Sequence, residues 1–404
     1  MTAIPGLLND LVDEILCRVP ATSLKRLRST CKRWNRLFKD DKRFASEHCD
    51  KAAKEFLFLM LTEKYSISPL SVNYLPHGDG DGLPSVEVKS ELILPYRHSN
   101  SQFKIAEVFH CDGLLLCTHH GLPPHGSDIV VWNPLTGQIR WIETGSRLKG
   151  TNEFVLGYCY NQDKKNMPCT KSFKILYFDP LGEITEIYEL NSSDSDPWRR
   201  IRDGELTAGW NTYVAEDAVS SKGNYYYIAK EKSKPHLGLS LLKFDFSTEK
   251  SSVCVPLPYP FPSYEILSVS SVGGEKLALF LQPNPTYKSE IWVTSKIDDD
   301  STKVVSWSKV LAFDLSPDLQ ITSQVKFVLD EDKKVVLCCE RWMDDDEIHS
   351  DDKIFILGED NKVSEISSGL METDDKGLWP CIFSYVPSLD RIEGAGGGKR
   401  KRAR

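Results

Sequence analysis

Cys111, Cys117, His119, His120 and His125 place thiols and imidazoles, the donors that zinc takes, within one span of fifteen residues. As a set their spacing fits no standard zinc pattern, and "CDGLLLC" already reads as a strand beginning after a tight turn. The run "GDGDG" at 78–82 mixes carboxylates and glycines as a calcium loop does. It lacks the alternating ligands and the closing Glu, so it reads as a loop. Asp298–Asp300, Asp344–Asp346 and Asp351–Asp352 read as solvated loop tips, contact with a basic ligand being their other use. Trp210, Trp307, Trp342 and Trp379 have the chemistry to line a recognition face but read as core. No phosphate-cradling loop, nucleophile elbow or paired-carboxylate motif stands out. No catalytic, metal-binding or cofactor-binding residue is assigned, and the chain is not expected to be an enzyme.

Charge carries the stronger signal. The stretch "PATSLKRLRSTCKRWNRLF" (20–38) sets Lys25, Arg26, Arg28, Lys32, Arg33 and Arg36 beside an apolar seam of Leu24, Leu27, Cys31, Trp34 and Phe38. Residues 1–54 hold 12 Lys/Arg against 7 Asp/Glu, residues 55–398 hold 33 against 51, and the last six hold 5 against none. A body this acidic repels a phosphate backbone, which leaves only the two ends for nucleic acid. No apolar run approaches the ~20 residues that span a bilayer, and "MTAIPGLLND" has no export pattern, so a soluble intracellular protein is expected. The eleven cysteines fall mostly in apolar segments, where reduced thiols pack as small hydrophobes.

Elements that would position the basic stretch are helical. Leu11, Val12, Ile15, Leu16 and Val19 share a helix face, with Asn9 or Asp10 as the N-cap and Pro20 as the stop. A second helix, capped by Thr22 or Ser23, would carry the whole seam from Leu24 to Phe38. A third would cover "KRFASEHCDKAAKE" after Asp40 and Asp41. So small a unit encloses too little surface to offset its chain entropy. Its surplus apolar surface points to a protein partner, the alternative being a helical cap packed on the larger domain. A DNA-reading helix would instead present polar side chains on its leading face.

"LLNDLVDEILCRVPATSLKRLRSTCKRWNRLF" resembles the F-box, through Leu7, Leu11, Ile15, Leu16, Pro20, Ser23, Leu24, Leu27, Cys31, Lys32 and Trp34. Leu8 stands where that family usually has proline, which removes a residue pre-set for helix entry. The resemblance implies binding to a Skp-family adaptor, and through it to a cullin, by Leu7, Leu11, Ile15, Leu16, Pro20, Leu24, Leu27, Cys31 and Trp34. Those proteins act in ubiquitin ligases.

After residue 55 the period becomes two. "EFLFLML", "DIVVWN", "SFKILYF", "NYYYIAK", "EKLALFL", "EIWVTSKI", "KVVLCCE" and "DKIFILG" are short strands separated by turn residues. Four segments, at 130–142, 175–190, 241–257 and 354–367, share a strand-turn-strand plan. Trp132 to Phe178 spans 46 residues and Phe244 to Trp292 spans 48, near the length of a four-stranded propeller blade. The expected fold is an α+β multidomain chain: a helical domain at 1–54, an all-β propeller-like domain at 55–392 of about six blades (seven possible), and a Gly-rich basic tail at 393–404. "CDGLLLC", "VWNPLTGQIRWI", "LGYCYN", "KGNYYYIAKE", "LLKFDFSTEK", "SEIWVTSKI", "VSWSKVLAFDL" and "CIFSYVPSLDRI" look like the F-box-associated, kelch-like domain of plant F-box proteins. That likeness implies a substrate receptor of a Skp-cullin-F-box ligase, whose propeller binds a target protein of unknown identity. The alternatives are a carbohydrate- or ligand-binding propeller and a nucleic-acid binder using the basic ends. Lys399, Arg400, Lys401, Arg402 and Arg404 form a candidate nuclear-import signal, so nucleus and cytoplasm are the expected locations.

Overall fold

The computed structural model describes residues 9–62, 64–73, 85–97, 99–119, 128–145, 153–161, 170–178, 185–190, 192, 197–201, 209–212, 218–260, 264–283, 288–297, 304–314, 321, 325–343, 350–359, 363–367 and 380–392. Within them the chain begins with four helices: α1 (Asn9–Leu16), α2 (Ala21–Leu27), α3 (Lys32–Asp40) and α4 (Lys42–Lys51). The seam expected on one helix is divided between α2 and α3. Ser29 and Thr30 cause the break by turning their hydroxyls back onto the Arg26 and Leu27 carbonyls, at 2.8 and 2.7 Å. Cys31 is then extended, at φ −148°, and leads into α3. Pro20, not Thr22 or Ser23, occupies the N-cap of α2; Thr22 instead bonds the Glu55 carboxylate. Asp41 caps α4 as its side chain accepts from the Phe44 amide at 3.0 Å.

The helices do not close their own core. Val12, Leu16, Cys17, Leu24, Phe38 and Phe44 pack together with Leu135 and Leu389, which come from the β domain. Part of the surplus apolar surface read from the sequence is therefore covered within the chain.

Among the described residues, twenty-five strands follow as six sheets. β1 (Leu57–Leu61), β2 (Ile67–Asn73) and β3 (Ser85–Val88) belong to the first blade. β4 (Ile105–Cys111), β5 (Leu114–His119), β6 (Asp128–Asn133) and β7 (Gln138–Glu143) form the second. β8 (Glu153–Asn161), β9 (Thr170–Phe178), β10 (Thr185–Glu189) and β11 (Trp198–Arg200) form the third. In the fourth, β12 (Trp210–Thr212) and β13 (Ala218–Ser221) share the inner place beside β14 (Asn224–Glu231), β15 (Leu239–Asp245) and β16 (Lys250–Pro256). β17 (Tyr264–Val272), β18 (Lys276–Pro283), β19 (Lys288–Thr294) and β20 (Trp307–Asp314) make the fifth. β21 (Phe327–Asp330), β22 (Val335–Met343), β23 (Ser350–Leu357) and β24 (Val363–Ser367) make the sixth. β25 (Cys381–Tyr385) returns to pair antiparallel with β1, from Leu57↔Tyr385 to Leu61↔Cys381, and closes the ring. The result is a six-bladed β-propeller whose first blade joins strands from the two ends of the domain. Three of the repeated segments form the third and fourth strands of their blades. The segment at 175–190 forms the second and third, so the 46-residue spacing joins non-equivalent places.

Each second strand is packed on both faces by neighbouring blades. Leu114–Thr118, Asn224–Lys230 and Leu277–Gln282 are accordingly near-continuous buried runs, apart from the half-buried Lys230. The two-residue turn between β4 and β5 needs φ > 0 at both positions, and Asp112 (43°) and Gly113 (81°) supply it. A Cβ at Gly113 would also lie 2.4 Å from Ser388 Cβ and 2.8 Å from the Val386 carbonyl. Gly113→Ala should therefore destabilise the chain by more than about 1 kcal/mol, read as a lower urea midpoint. An unchanged midpoint would mean that the segment after β25 is not held against this turn.

Candidate functional site

Three features carry chemistry: the exposed face of α1, the seam between helices and propeller, and the central channel. On α1 the apolar residues form two adjacent stripes at i, i+4 spacing. Val12 and Leu16 point into the core, whereas Leu11 and Ile15 are 50% and 53% exposed. Leu24 is fully buried, and Pro20, Leu27, Cys31 and Trp34 are half-buried. Of the residues that the F-box resemblance names, Leu11 and Ile15 thus form the open surface. Leu16 and Leu24 support it from within; Leu7 lies outside the described residues. Lys25, Arg26, Lys32 and Arg36 are exposed, while Arg28 and Arg33 are half-buried. Arg33 is tied to Asp13 at 2.7 Å.

The seam is built by turns and by the segment after β25. Asn133, fully buried, accepts from the Leu135 and Thr136 amides at 3.0 and 3.1 Å, which presents Leu135 to the helices. Its amide nitrogen donates to the Ser388 and Asp390 carbonyls, both at 3.0 Å, and so fixes the Leu389 segment too. Beside them Lys171 of β9 donates to Asp112 and Asp390 at 2.8 Å each and to Cys49 of α4 at 3.4 Å. It lies 4.6 Å over the Tyr158 ring, whose hydroxyl donates to Asp112 at 2.8 Å. Burial opposes ionisation of Asp112, but the Lys171 ammonium and these hydrogen bonds prevail and hold its carboxyl down at about 2. Burial likewise works against the Lys171 charge, and the two carboxylates overcome it, so its pKa lies well above the usual value. His48 of α4 donates to the Val19 carbonyl at 2.8 Å, and burial lowers its pKa. This network is a structural clamp between modules; none of its members is a residue that sequence reasoning singled out. The quoted motifs "CDGLLLC" and "VWNPLTG" contain Asp112 and Asn133, but their partners are remote in the chain.

The channel runs between the innermost strands, β25, β4, β8, β13, β17 and β21, and encloses a cavity of about 470 Å³. At the helix end it narrows. Ser271 and Ser384 hydroxyls meet at 3.5 Å, and Ser220 donates to Cys111 Sγ at 3.2 Å, in both cases between strands that are not ring neighbours. Ala52–Phe56, which links α4 to β1, lies below this constriction and shares with it a smaller cavity of about 80 Å³.

The other sequence candidates are dispersed. Cys111 and Cys117 are buried strand thiols, and His119 stacks on Tyr96 at 5.2 Å between ring centres. No group of three or more potential metal ligands occurs among the described residues. Trp210 and Trp307 are half-buried, and the Trp307 indole donates to the Pro256 carbonyl at 2.8 Å. Trp342 and Asp351–Asp352 lie on β22 and β23; their side chains are outside the described set, as are His120, His125, Trp379, "GDGDG", Asp298–Asp300, Asp344–Asp346 and the residues of the basic tail. No helix among the described residues is long and apolar enough to cross a membrane.

Residues 4–46 match the F-box domain and residues 57–392 match the F-box associated beta propeller domain. The chain is 61% identical over 417 residues to the F-box protein ETP1 of Arabidopsis thaliana, a match that covers 99% of both chains. It is 47% identical to the F-box protein ETP2 of the same plant, over 97% of each. An F-box/kelch-repeat protein of that plant is 46% identical over 99% of each. With both domains matched in order and relatives aligned over nearly their full length, the chain belongs to the plant F-box proteins that carry an F-box associated β-propeller.

Proposed function

We propose that the chain is the substrate-receptor subunit of a Skp-cullin-F-box ubiquitin ligase, docking to the Skp-family adaptor through α1 and holding a target protein with the propeller. The observation that carries this reading is the pair Leu11 and Ile15, large aliphatic side chains left half-exposed while the adjacent stripe of the same helix is fully used by the core. Such residues cost free energy in water and return it on burial against a partner. Lys25, Arg26, Lys32 and Arg36 would speed encounter with an acidic adaptor and add less to the bound state. Ubiquitin transfer then belongs to other subunits. The propeller contributes by proximity, since tethering raises the local concentration of the target's lysines. Reconstitution with adaptor, cullin and conjugating enzyme tests this: ubiquitin chains should form on a captured target only when all are present, and no adaptor complex would refute the reading.

The helical and propeller modules are further proposed to meet at residue 54/55, between the end of α4 and the start of β1. We also propose that Lys399, Arg400, Lys401, Arg402 and Arg404 direct the chain to the nucleus as well as the cytoplasm, since a basic cluster behind a Gly-rich spacer is open to an acidic import groove. Deleting 399–404 from a fluorescent fusion should lower the nuclear share, and an unchanged distribution would remove this assignment.

A further inference from the structure

The channel cavity of about 470 Å³ falls in the size range of small-molecule sites. Most of its wall is apolar: Phe109 and Phe383 are half-buried there, with Val155 and Val269 on other inner strands. Glu107, Glu340 and Lys326 also line the cavity, but each already has an interaction partner, so none of them is a free charge. His110 is neutral. Burial pushes its pKa down to about 4, and its Nε2 accepts from the Gly113 amide at 3.0 Å.

Two buried hydroxyls remain among the described lining residues. Thr118 of β5 and Ser270 of β17 are each 8% exposed, and neither side chain has a hydrogen-bond partner among the described residues. They stand on the second and fifth blades, opposite each other in a ring of six. Thr118 also faces a register shift in β4 between Ile105 and Val108, the kind of bulge that re-aims side chains beside binding sites. A buried hydroxyl without a partner costs free energy, which a water or a ligand oxygen returns. Water against the phenylalanine wall is poorly bonded, however, and an apolar molecule gains free energy by displacing it. A charged molecule would lose its hydration there with no free counter-charge to offset the loss.

We propose that the channel binds a small uncharged molecule with an apolar skeleton and a carbonyl or hydroxyl oxygen, anchored by the Thr118 and Ser270 hydroxyls. The site belongs to the propeller and stands apart from the adaptor reading of the helices. A molecule held there touches opposite sides of the ring, so its binding also stabilises the folded chain.

The test titrates the full chain with the dye Prodan, an uncharged naphthyl ketone whose emission moves to the blue in apolar surroundings. Saturable binding with blue-shifted emission is expected, together with a higher urea midpoint. Anilinonaphthalene sulfonate, an aromatic dye that carries a charge, should bind at least ~10-fold more weakly, the equivalent of about 1.4 kcal/mol. The double variant Thr118→Val, Ser270→Ala should weaken Prodan by a similar factor without lowering its own urea midpoint, because the hydroxyls it removes hold nothing within the chain. Ala218→Trp, which fills the cavity, should weaken Prodan at least as much. Absence of saturable binding up to the solubility limit of Prodan would overturn the proposal. So would equal affinity for the sulfonate, or full Prodan affinity in either variant. If Ala218→Trp does not fold, the double variant, which removes no internal hydrogen bond, still decides the matter.

Discussion

Replacing Leu11 and Ile15 together by aspartate should weaken capture by a Skp-family adaptor ~100-fold or more while leaving the propeller folded. The two side chains are half-exposed and i, i+4 on α1, so their removal empties no cavity in the chain itself. Buried at an interface, each would be an aliphatic anchor of more than ~1 kcal/mol, and a carboxylate in its place adds the cost of an unpaired buried charge. About 3 kcal/mol in total corresponds to that loss. Leu16→Ala gives the contrast. Leu16 is 5% exposed beneath this face, and its truncation should cost about 2–5 kcal/mol of stability in the helical module. Binding titrations on variants with unchanged circular dichroism separate the two effects. Full adaptor affinity of the double aspartate variant would remove α1 from the interface.

Lys171→Met should release the helices from the propeller. The substitution leaves Asp112 and Asp390 without the ammonium they share, and Cys49 without its contact to β9. Lys171 and Asp390 side chains are 8% and 12% exposed, but Asp112 keeps 37%, which places the loss near the lower end of the range for a broken buried pair, about 3 kcal/mol. Faster hydrogen exchange in α4, with strand protection retained, is the expected signature; unaltered α4 exchange would show that apolar packing alone holds the seam. The pH dependence has a defined sign. The Asp112 carboxyl is lowered from the usual 3.8 to about 2 in the folded chain, so its contribution is present above about 4 and is lost as pH falls toward 2. The difference between wild type and Lys171→Met should shrink across that window.

The parts of this fold that were legible in the sequence are those whose surroundings are uniform. "NYYYIAK", "EKLALFL", "KVVLCCE" and "DKIFILG" became β14, β18, β22 and β23, middle strands packed by blades on both faces, where a continuous apolar run is required. The outer β11 and the inner β12 and β13 hold three or four residues each and face solvent or the channel on one side, so "WRR", "WNT" and "AVSS" carry no such run. The division of the second expected helix was hidden because Leu24 to Phe38 keeps helical spacing through the break; only the back-bonding of Ser29 and Thr30 interrupts it. In the candidate site, the basic stretch and the α1 leucines were visible as a local pattern. Which stripe would stay exposed was not, because Leu135 and Leu389, remote in the chain, decide what is covered. The clamp around Lys171 was invisible for the same reason: its members lie at positions 49, 112, 158, 171 and 390.

The most direct test of the central claim is hydrogen exchange of the full chain with and without a purified Skp-family adaptor. A stable complex is expected, in which new protection is centred on α1 around Leu11–Ile15 and extends to the adjoining α2 and α3, with the propeller strands unchanged. Absence of a complex, or protection confined to the propeller, would contradict it.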